Sequence, residues 1–300
     1  MAITIGTCPG LWGISFAEDP QQTPWSRCLD EMVQAGFNWT ELGPYGYLPV
    51  DVPTLERELT RRGLKLTGGV VMPHLEDAHA WPEIERQVIL AGESLATNGA
   101  MFLILIDGLY TDQHTGAPLR QPILDDDGWK RLVDTSHAMA RLARERFGLG
   151  TTFHPHAETH VETEEQIDRF LADTDPSLIG LCLDTGHHAY RGGDPVAFAK
   201  KHHQRLDYVH LKTVDAQKLN QVVNRDCASL AEATVKGVFC KPELGMVDFA
   251  AFFNLLYEVD FDGFAIIEQD MYPSPFDKPL PIACQCLEYY RQIGLGSPAR

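Results

Sequence analysis

Apolar residues along this chain fall into short runs separated by longer amphipathic stretches, and the alternation repeats from one end to the other. Eight runs have the brevity and the Ile and Val content of strands buried on both faces. They are Ile3–Gly6, Asn38–Leu42, Leu64–Val71, Met101–Ile106, Gly150–Phe153, Gly180–Leu183, Tyr208–Leu211 and Phe264–Ile267. Between them the period becomes helical. Trp129, Val133, Ala140, Ala143 and Phe147 recur at helical spacing beside Arg131, Arg141 and Arg144, which predicts a helix over Trp129–Phe147. Thr163 followed by Gln166 is a capping-box pattern that opens a helix over Thr163–Leu171. Asp194-Pro195 reads as an N-cap with proline in the first turn, and Ser229–Lys236 and Asp248–Val259 supply later helices.

Such alternation is the signature of parallel βαβ units. Eight strands predict an α/β chain folded as one (β/α)8 TIM barrel over residues 1–300, a usual length for that architecture. A nucleotide fold lacks its marker here, because no G-x-G-x-x-G follows the first strand and no P-loop occurs. Two connections are long: Asp107–Asp127 after the fourth strand and Thr213–Ser229 after the seventh. Loops at these positions lie at the C-terminal mouth of a barrel, where they can cover a substrate.

Composition narrows the function classes. With 44% hydrophobic and 22% charged residues, the chain reads as globular and can bury a core without disulfides. Its seven cysteines are odd in number and include no C-x-x-C, so neither a disulfide framework nor a zinc ribbon is indicated. Cys284 and Cys286 lie in a helix-like stretch and read as core residues. Met1–Gly6 has no basic flank, and the run Met101–Ile106 is too short to span a bilayer. A cytoplasmic protein without a membrane partner is expected. The formal charge of −17 repels phosphate backbones and argues against nucleic acid.

Polar residues with metal-binding chemistry cluster where the last four strands end. The fifth strand runs into His154-Pro155-His156-Ala157-Glu158-Thr159-His160-Val161-Glu162, and the sixth ends in Asp184-Thr185-Gly186-His187-His188. The seventh ends in His210-Leu211-Lys212 and the eighth in Glu268-Gln269-Asp270. Each has a bland reading: His210 as a hydrogen-bonded loop residue, Asp184 as a turn cap. Glu268 resists one, because a charge beside a buried apolar run costs several kcal/mol unless it is paired. In a closed barrel the four ends converge, and mixed carboxylate and imidazole ligands suit one Mn²⁺, Co²⁺, Zn²⁺ or Mg²⁺ ion, with Mn²⁺ favoured. Trp12, just after the first strand, is a candidate pocket residue. The run Asp125–Asp127 is assigned to capping the Trp129 helix, and Lys200–His203 to a helix C-terminus.

On these residues the sequence resembles the xylose isomerase-like TIM-barrel superfamily of sugar isomerases and epimerases. Within it, the chain looks most like the inosose (2-keto-myo-inositol) dehydratase group. The resemblance rests on Ala35-Gly36-Phe37 with Glu41-Leu42-Gly43, His154-Pro155-His156, Leu183-Asp184-Thr185-Gly186-His187, Val209-His210-Leu211-Lys212, and Gly237-Val238-Phe239 with Asp248-Phe249. The stretch Cys8-Pro9-Gly10-Leu11-Trp12 departs from the pattern of the dehydratases. The resemblance implies a metal held by Glu, Asp, His and Glu from the last four strands. Asp184, His210 and Glu268 match the last three positions, while His154 stands at the first. That places the missing carboxylate in the following loop, as Glu162, with Glu158 the alternative.

A site of this kind implies removal of a proton beside the ketone of a small polyhydroxy substrate. Glu268 or Glu162 is the candidate base, His156 or His187 the acid, and Lys212 a hydroxyl anchor or aid to the developing oxyanion. Glu41, Trp12 and His154 are candidate substrate contacts. Loss of a β-hydroxyl would make the protein a dehydratase acting on a keto-cyclitol; reprotonation would make it a keto-sugar epimerase or isomerase. An endonuclease would need more metals and a basic groove, and a metal-free regulatory barrel would not need the acidic and His residues on all four strands. Barrels of this kind often self-associate, so a homo-oligomer is compatible with the sequence.

Overall fold

The structure, a computed structural model, describes residues 3–224 and 229–296. Nine short parallel strands form one sheet: β1 (Thr4–Thr7), β2 (Trp39–Thr40), β3 (Lys65–Leu66), β4 (Gly68–Val71), β5 (Phe102–Leu105), β6 (Gly150–Phe153), β7 (Ile179–Asp184), β8 (Leu206–Leu211) and β9 (Phe264–Ile267). Their order is β3-β2-β1-β9-β8-β7-β6-β5-β4. β3 and β4 are two halves of the third sequence-predicted strand, interrupted at Thr67. That residue's N–H donates to Thr40 O at 2.9 Å and its carbonyl accepts from Met101 N at 3.0 Å. The two ends of the sheet therefore meet on one segment, and the ring closes as an eight-unit barrel.

Helices cover the outside: α1 (Trp25–Ala35), α2 (Val52–Thr60), α3 (Trp81–Thr97), α4 (Asp126–Phe147), α5 (Glu164–Asp173), α6 (Thr185–Tyr190), α7 (Pro195–His202), α8 (Ala216–Val223), α9 (Leu230–Val235), α10 (Phe249–Glu258) and α11 (Pro279–Gln292). Their starts follow the caps read from the sequence. Asp125 caps α4, Thr163 and Gln166 form the capping box of α5, Asp194 caps α7 ahead of Pro195, and Ser229 caps α9. Lys201 and His202, at the end of α7, pair with Asp168 on α5. Cys286 of α11 is buried as expected, but Cys284 is exposed, because it sits on the outer face of that helix. Of the long 213–229 connection, residues 225–228 lie outside the described residues, as do Met1 and Ala2 of the first strand's lead-in. No described helix is long and apolar enough to cross a membrane.

Two apolar cores result. One lies between strands and helices. The other fills the barrel lumen with Ile104, Cys182, Tyr208, Phe264 and Ile266, and Phe102 packs edge-on against Tyr208 and Phe264. This plug has no water channel to feed; it is a floor on which the mouth residues stand. Register then sets which residues meet. Asp184 pairs with His210 across β7 and β8, and Leu211 pairs with Ile267 across β8 and β9. Lys212 and Glu268 are the next residues on, so the polar strand ends are brought side by side.

Candidate active site

Asp184 ends β7 and does two jobs with two oxygens. Oδ1 accepts from Gly186 N and His187 N, both at 2.8 Å, and so caps α6. Oδ2 is left over, buried and turned into the barrel mouth. There it lies 3.5 Å from His154 Nε2, 3.6 Å from His210 Nδ1 and 3.0 Å from Lys212 Nζ. Glu268, one residue past β9, brings Oε2 to 2.9 Å from His210 Nδ1 and 3.3 Å from Lys212 Nζ. Gly10 permits this placement, since a Cβ there would stand 2.5 Å from Glu268 Oε1. Gly186 does the same for the stem of Lys212, whose Cγ lies 2.4 Å from where a Cβ would be.

The tautomers of the two histidines follow from their other contacts. His154 Nδ1 faces Pro155 O at 2.9 Å, and a carbonyl can only accept, so Nδ1 carries the proton. His210 Nε2 faces Glu41 Oε1 at 2.8 Å and donates to it. His154 Nε2 therefore points a lone pair at Asp184 Oδ2, while His210 turns Nδ1 toward Glu268 Oε2 at 2.9 Å, where the carboxylates around it outweigh burial and raise the imidazole well above its usual range. Asp184 Oδ2, His210 Nδ1 and Glu268 Oε2 are buried atoms with no hydrogen-bond partner among the described residues. Ligand atoms of His154, Asp184 and His210 lie within 4.8 Å of one another. Converging lone pairs of this kind call for a cation between them, and one carboxylate oxygen, two imidazoles and a second carboxylate form a donor set that fits a divalent metal. Glu41 fixes the ring of His210 through its far nitrogen, the usual support of a metal-binding imidazole.

Charge supports the same reading. Asp184, Glu268 and Asp270 crowd around a single buried ammonium, Lys212, at 3.0, 3.3 and 3.0 Å. Burial works against each charge. Lys212 and His210 outweigh it at Glu268, whose carboxyl is held well below its usual range. At Asp270 burial wins, joined by repulsion from Glu268, and the carboxyl rises to about 6. Burial also pushes His156 down to about 3, with His154 and Lys212 adding to the effect, and lowers His187 in the same way. These two rings pack with centroids 3.7 Å apart and planes tilted by 40°, and both are neutral imidazoles at neutral pH. Lys212 Nζ donates to His187 Nε2 at 3.1 Å.

Two expectations need correction. Glu162 does not reach the group: Oε1 accepts from Arg191 at 2.8 Å and Tyr110 at 3.1 Å, and Oε2 accepts from Glu158 N at 2.6 Å. Glu158 is likewise engaged, with Thr111 on one oxygen and Leu230 N at 2.7 Å on the other. Both loop carboxylates have backbone and side-chain partners of their own, and His154 is the side chain that stands beside Asp184 and His210 instead. Trp12 is not a pocket residue either. Its indole N–H donates to Glu31 at 2.9 Å in the core between the first βα loop and α1. Glu41 does line the cavity, but its carboxylate serves His210.

Asp270 was given no role in the sequence reading. The signal was its spacing of two from Glu268, which in extended chain puts both on one face. A second cluster, Glu76, Asp107 and His160, also has ligand atoms within 4.8 Å. It is closed by its own cations: Arg120 stands 3.1 Å from Glu76, and His160 Nδ1 lies 2.7 Å from Asp107. That network pins the long 107–127 loop.

Fold and site together define a class, a (β/α)8 barrel with a divalent-metal donor set at its mouth. The pattern of the xylose isomerase-like TIM barrel matches residues 29–290, and the chain belongs to that family. It is 33% identical over 271 residues to a Geobacillus kaustophilus protein named inosose dehydratase, covering 89% of this chain and 84% of the relative. Among solved structures it resembles the probable 3-DHS dehydratase AsbF from Bacillus anthracis, at TM-score 0.73 and 13% identity, covering 97% of this chain and 99% of that one. It also resembles the IOLI protein with a binding zinc atom, at TM-score 0.71 and 16% identity over 96% of this chain and 98% of that one.

Proposed function

We propose that this protein is a divalent-metal-dependent carbon–oxygen lyase that dehydrates a keto-cyclitol of the inosose type. The observation that carries the reading is the convergence of Asp184 Oδ2, His210 Nδ1, Glu268 Oε2 and His154 Nε2 at the barrel mouth, the first three buried without a hydrogen-bond partner among the described residues. The relatedness to inosose dehydratase supports the substrate class.

We assign His154, Asp184, His210 and Glu268 as the metal-holding residues, with Mn²⁺ as the favoured ion. When bound, such a metal acts as a Lewis acid that makes the proton beside a ketone removable. Glu268, held as a carboxylate at the open edge of the group, takes that proton. Lys212, an ammonium fixed by Asp184 and Asp270, steadies the charge gathering on oxygen. His156 Nδ1 is committed to Ala157 O at 2.8 Å, so its other nitrogen accepts a substrate hydroxyl rather than donating to one. The acid that protonates the departing hydroxyl is therefore assigned to the His187–Asp270 pair, 3.4 Å apart, of which Asp270 lines the cavity and His187 is buried. Asp270, the carboxyl raised to about 6, is its better proton source. The substrate is uncharged in this reading, since Lys212 and Arg86, the cations at the cavity, are already paired with carboxylates. Free cysteines among the described residues support a cytoplasmic setting.

The test is incubation of the full chain with Mn²⁺ and keto-cyclitols or ketoses in deuterated water. An enone absorbance with a keto-cyclitol is the expected result. Deuterium uptake without enone would transfer the protein to the epimerases; no exchange with any substrate would remove the reading.

A further inference from the structure

The cavity above the donor set has a volume of about 570 Å³, within the range of about 300–1,000 Å³ that takes drug-sized ligands. Its two sides differ in kind. β6 to β9 supply the polar floor. Across the ring, β4 faces β8 and β5 faces β9, and there an apolar patch of Val70, Met72, Leu90 and Leu109 lines the cavity beside polar side chains such as Arg86 and Gln113. Val70, Met72, Leu90 and Leu109 are not fully buried, so each leaves some apolar surface to the cavity. A keto-cyclitol bears a hydroxyl on nearly every carbon, and the four apolar side chains of this patch can answer none of them. A hydroxyl pressed against it gives up its hydrogen bond to water and gains none in return. A single small ring on the polar floor leaves the wall uncovered.

We propose that this wall is a subsite for an alkyl or aryl group, attached through an ether oxygen to the carbon β to the substrate's ketone. The protein then eliminates an alcohol where the simple cyclitol loses water. This rests on the reading of the donor set given above and names a further substrate class for it. The step balances without a co-reactant. The base takes the α-proton, and the C–H electron pair becomes the new carbon–carbon double bond. The β-carbon–oxygen bond breaks with its electrons on oxygen, and that oxygen leaves as the alcohol after receiving one proton. No atom outside the substrate changes oxidation state, because the ketone is already present.

The experiment compares an unsubstituted keto-cyclitol with its β-benzyl ether, using the Mn²⁺-loaded full chain and reading enone and benzyl alcohol. Binding of the corresponding benzyl ether with its ketone reduced, which cannot react, is followed by calorimetry. The ether is expected to give kcat/KM at least about tenfold above the unsubstituted ketone, and the unreactive ether to bind with a negative heat-capacity change. The double variant Met72→Ser, Leu109→Ser should lower the ether-to-ketone ratio about tenfold. Should that variant not fold, Leu109→Ser alone, in a surface loop, is expected to lower the ratio by a smaller factor, and Met72→Leu to preserve it. Turnover of the unsubstituted ketone with no reaction or binding of the ether would overturn the subsite and leave the dehydratase reading standing. A ratio unmoved by Leu109→Ser would also overturn it. Failure of both substrates would remove the reading of the donor set itself.

Discussion

The two halves of the barrel mouth are built from the same kind of segment, a short buried strand running into a loop, yet they end differently. β6 to β9 finish in His, Asp, His-x-Lys and Glu-x-Asp, while β4 and β5 finish in Val70, Met72 and Ile106. One half gathers charges that the fold cannot satisfy by itself. The other buries Ile106 and leaves part of Val70 and Met72 open to the cavity. Unsatisfied polarity on one side and uncovered apolar surface on the other are both departures from what stability alone favours. The difference teaches that this mouth is shaped by a ligand with two unlike ends.

The polar half breaks first. Glu268→Gln keeps the shape and removes the charge, and is expected to lower turnover by at least about a thousandfold with the melting transition retained; kinetics beside a thermal melt checks both. An active variant would take Glu268 out of the chemistry. Next in size is Glu41→Gln, which loosens His210 without touching the donors. Metal affinity should fall roughly 10–100-fold, measured by competition with a chelator. An unchanged affinity would mean that Glu41 serves only the apolar plug beneath.

Smaller again is Glu158→Gln. Glu158 joins three loops, its own, the 107–127 loop at Thr111 and the start of α9 at Leu230. Loosening it should raise KM while leaving metal content alone, at a stability cost of about 1–3 kcal/mol, read by denaturant unfolding. The reverse pattern, metal lost and KM kept, would return Glu158 to the ligand set. Trp12→Phe is the smallest. It leaves Glu31 without its indole donor, so about 1 kcal/mol of stability and no activity should be lost.

The barrel was legible because its signals are local. Every strand run and the caps at Asp125, Thr163 and Asp194 needed only neighbouring residues to be read. So was most of the polar constellation, since strand ends of a closed barrel converge wherever the strands are found. What sequence could not give was partnership across loops. Glu162 and Glu158 have the right chemistry for a metal, and only distance shows that Arg191, Tyr110, Thr111 and Leu230 already hold them. Trp12 follows a strand like a pocket residue, but Glu31 on α1 draws its indole inward. The apolar half was invisible for another reason: Val70, Met72 and Ile106 look like ordinary strand residues until the side they face is known.

The account stands on the donor set, and Asp184 offers the cleanest way to test it. Asp184→Asn retains a carbonyl oxygen to cap α6 while replacing the inward-facing oxygen by an amide, so the fold should persist. Metal analysis of both proteins after dialysis against Mn²⁺ is predicted to find about one ion per chain in the natural protein and close to none in the variant. Full metal occupancy in a folded Asp184→Asn protein would contradict the account, whatever its activity.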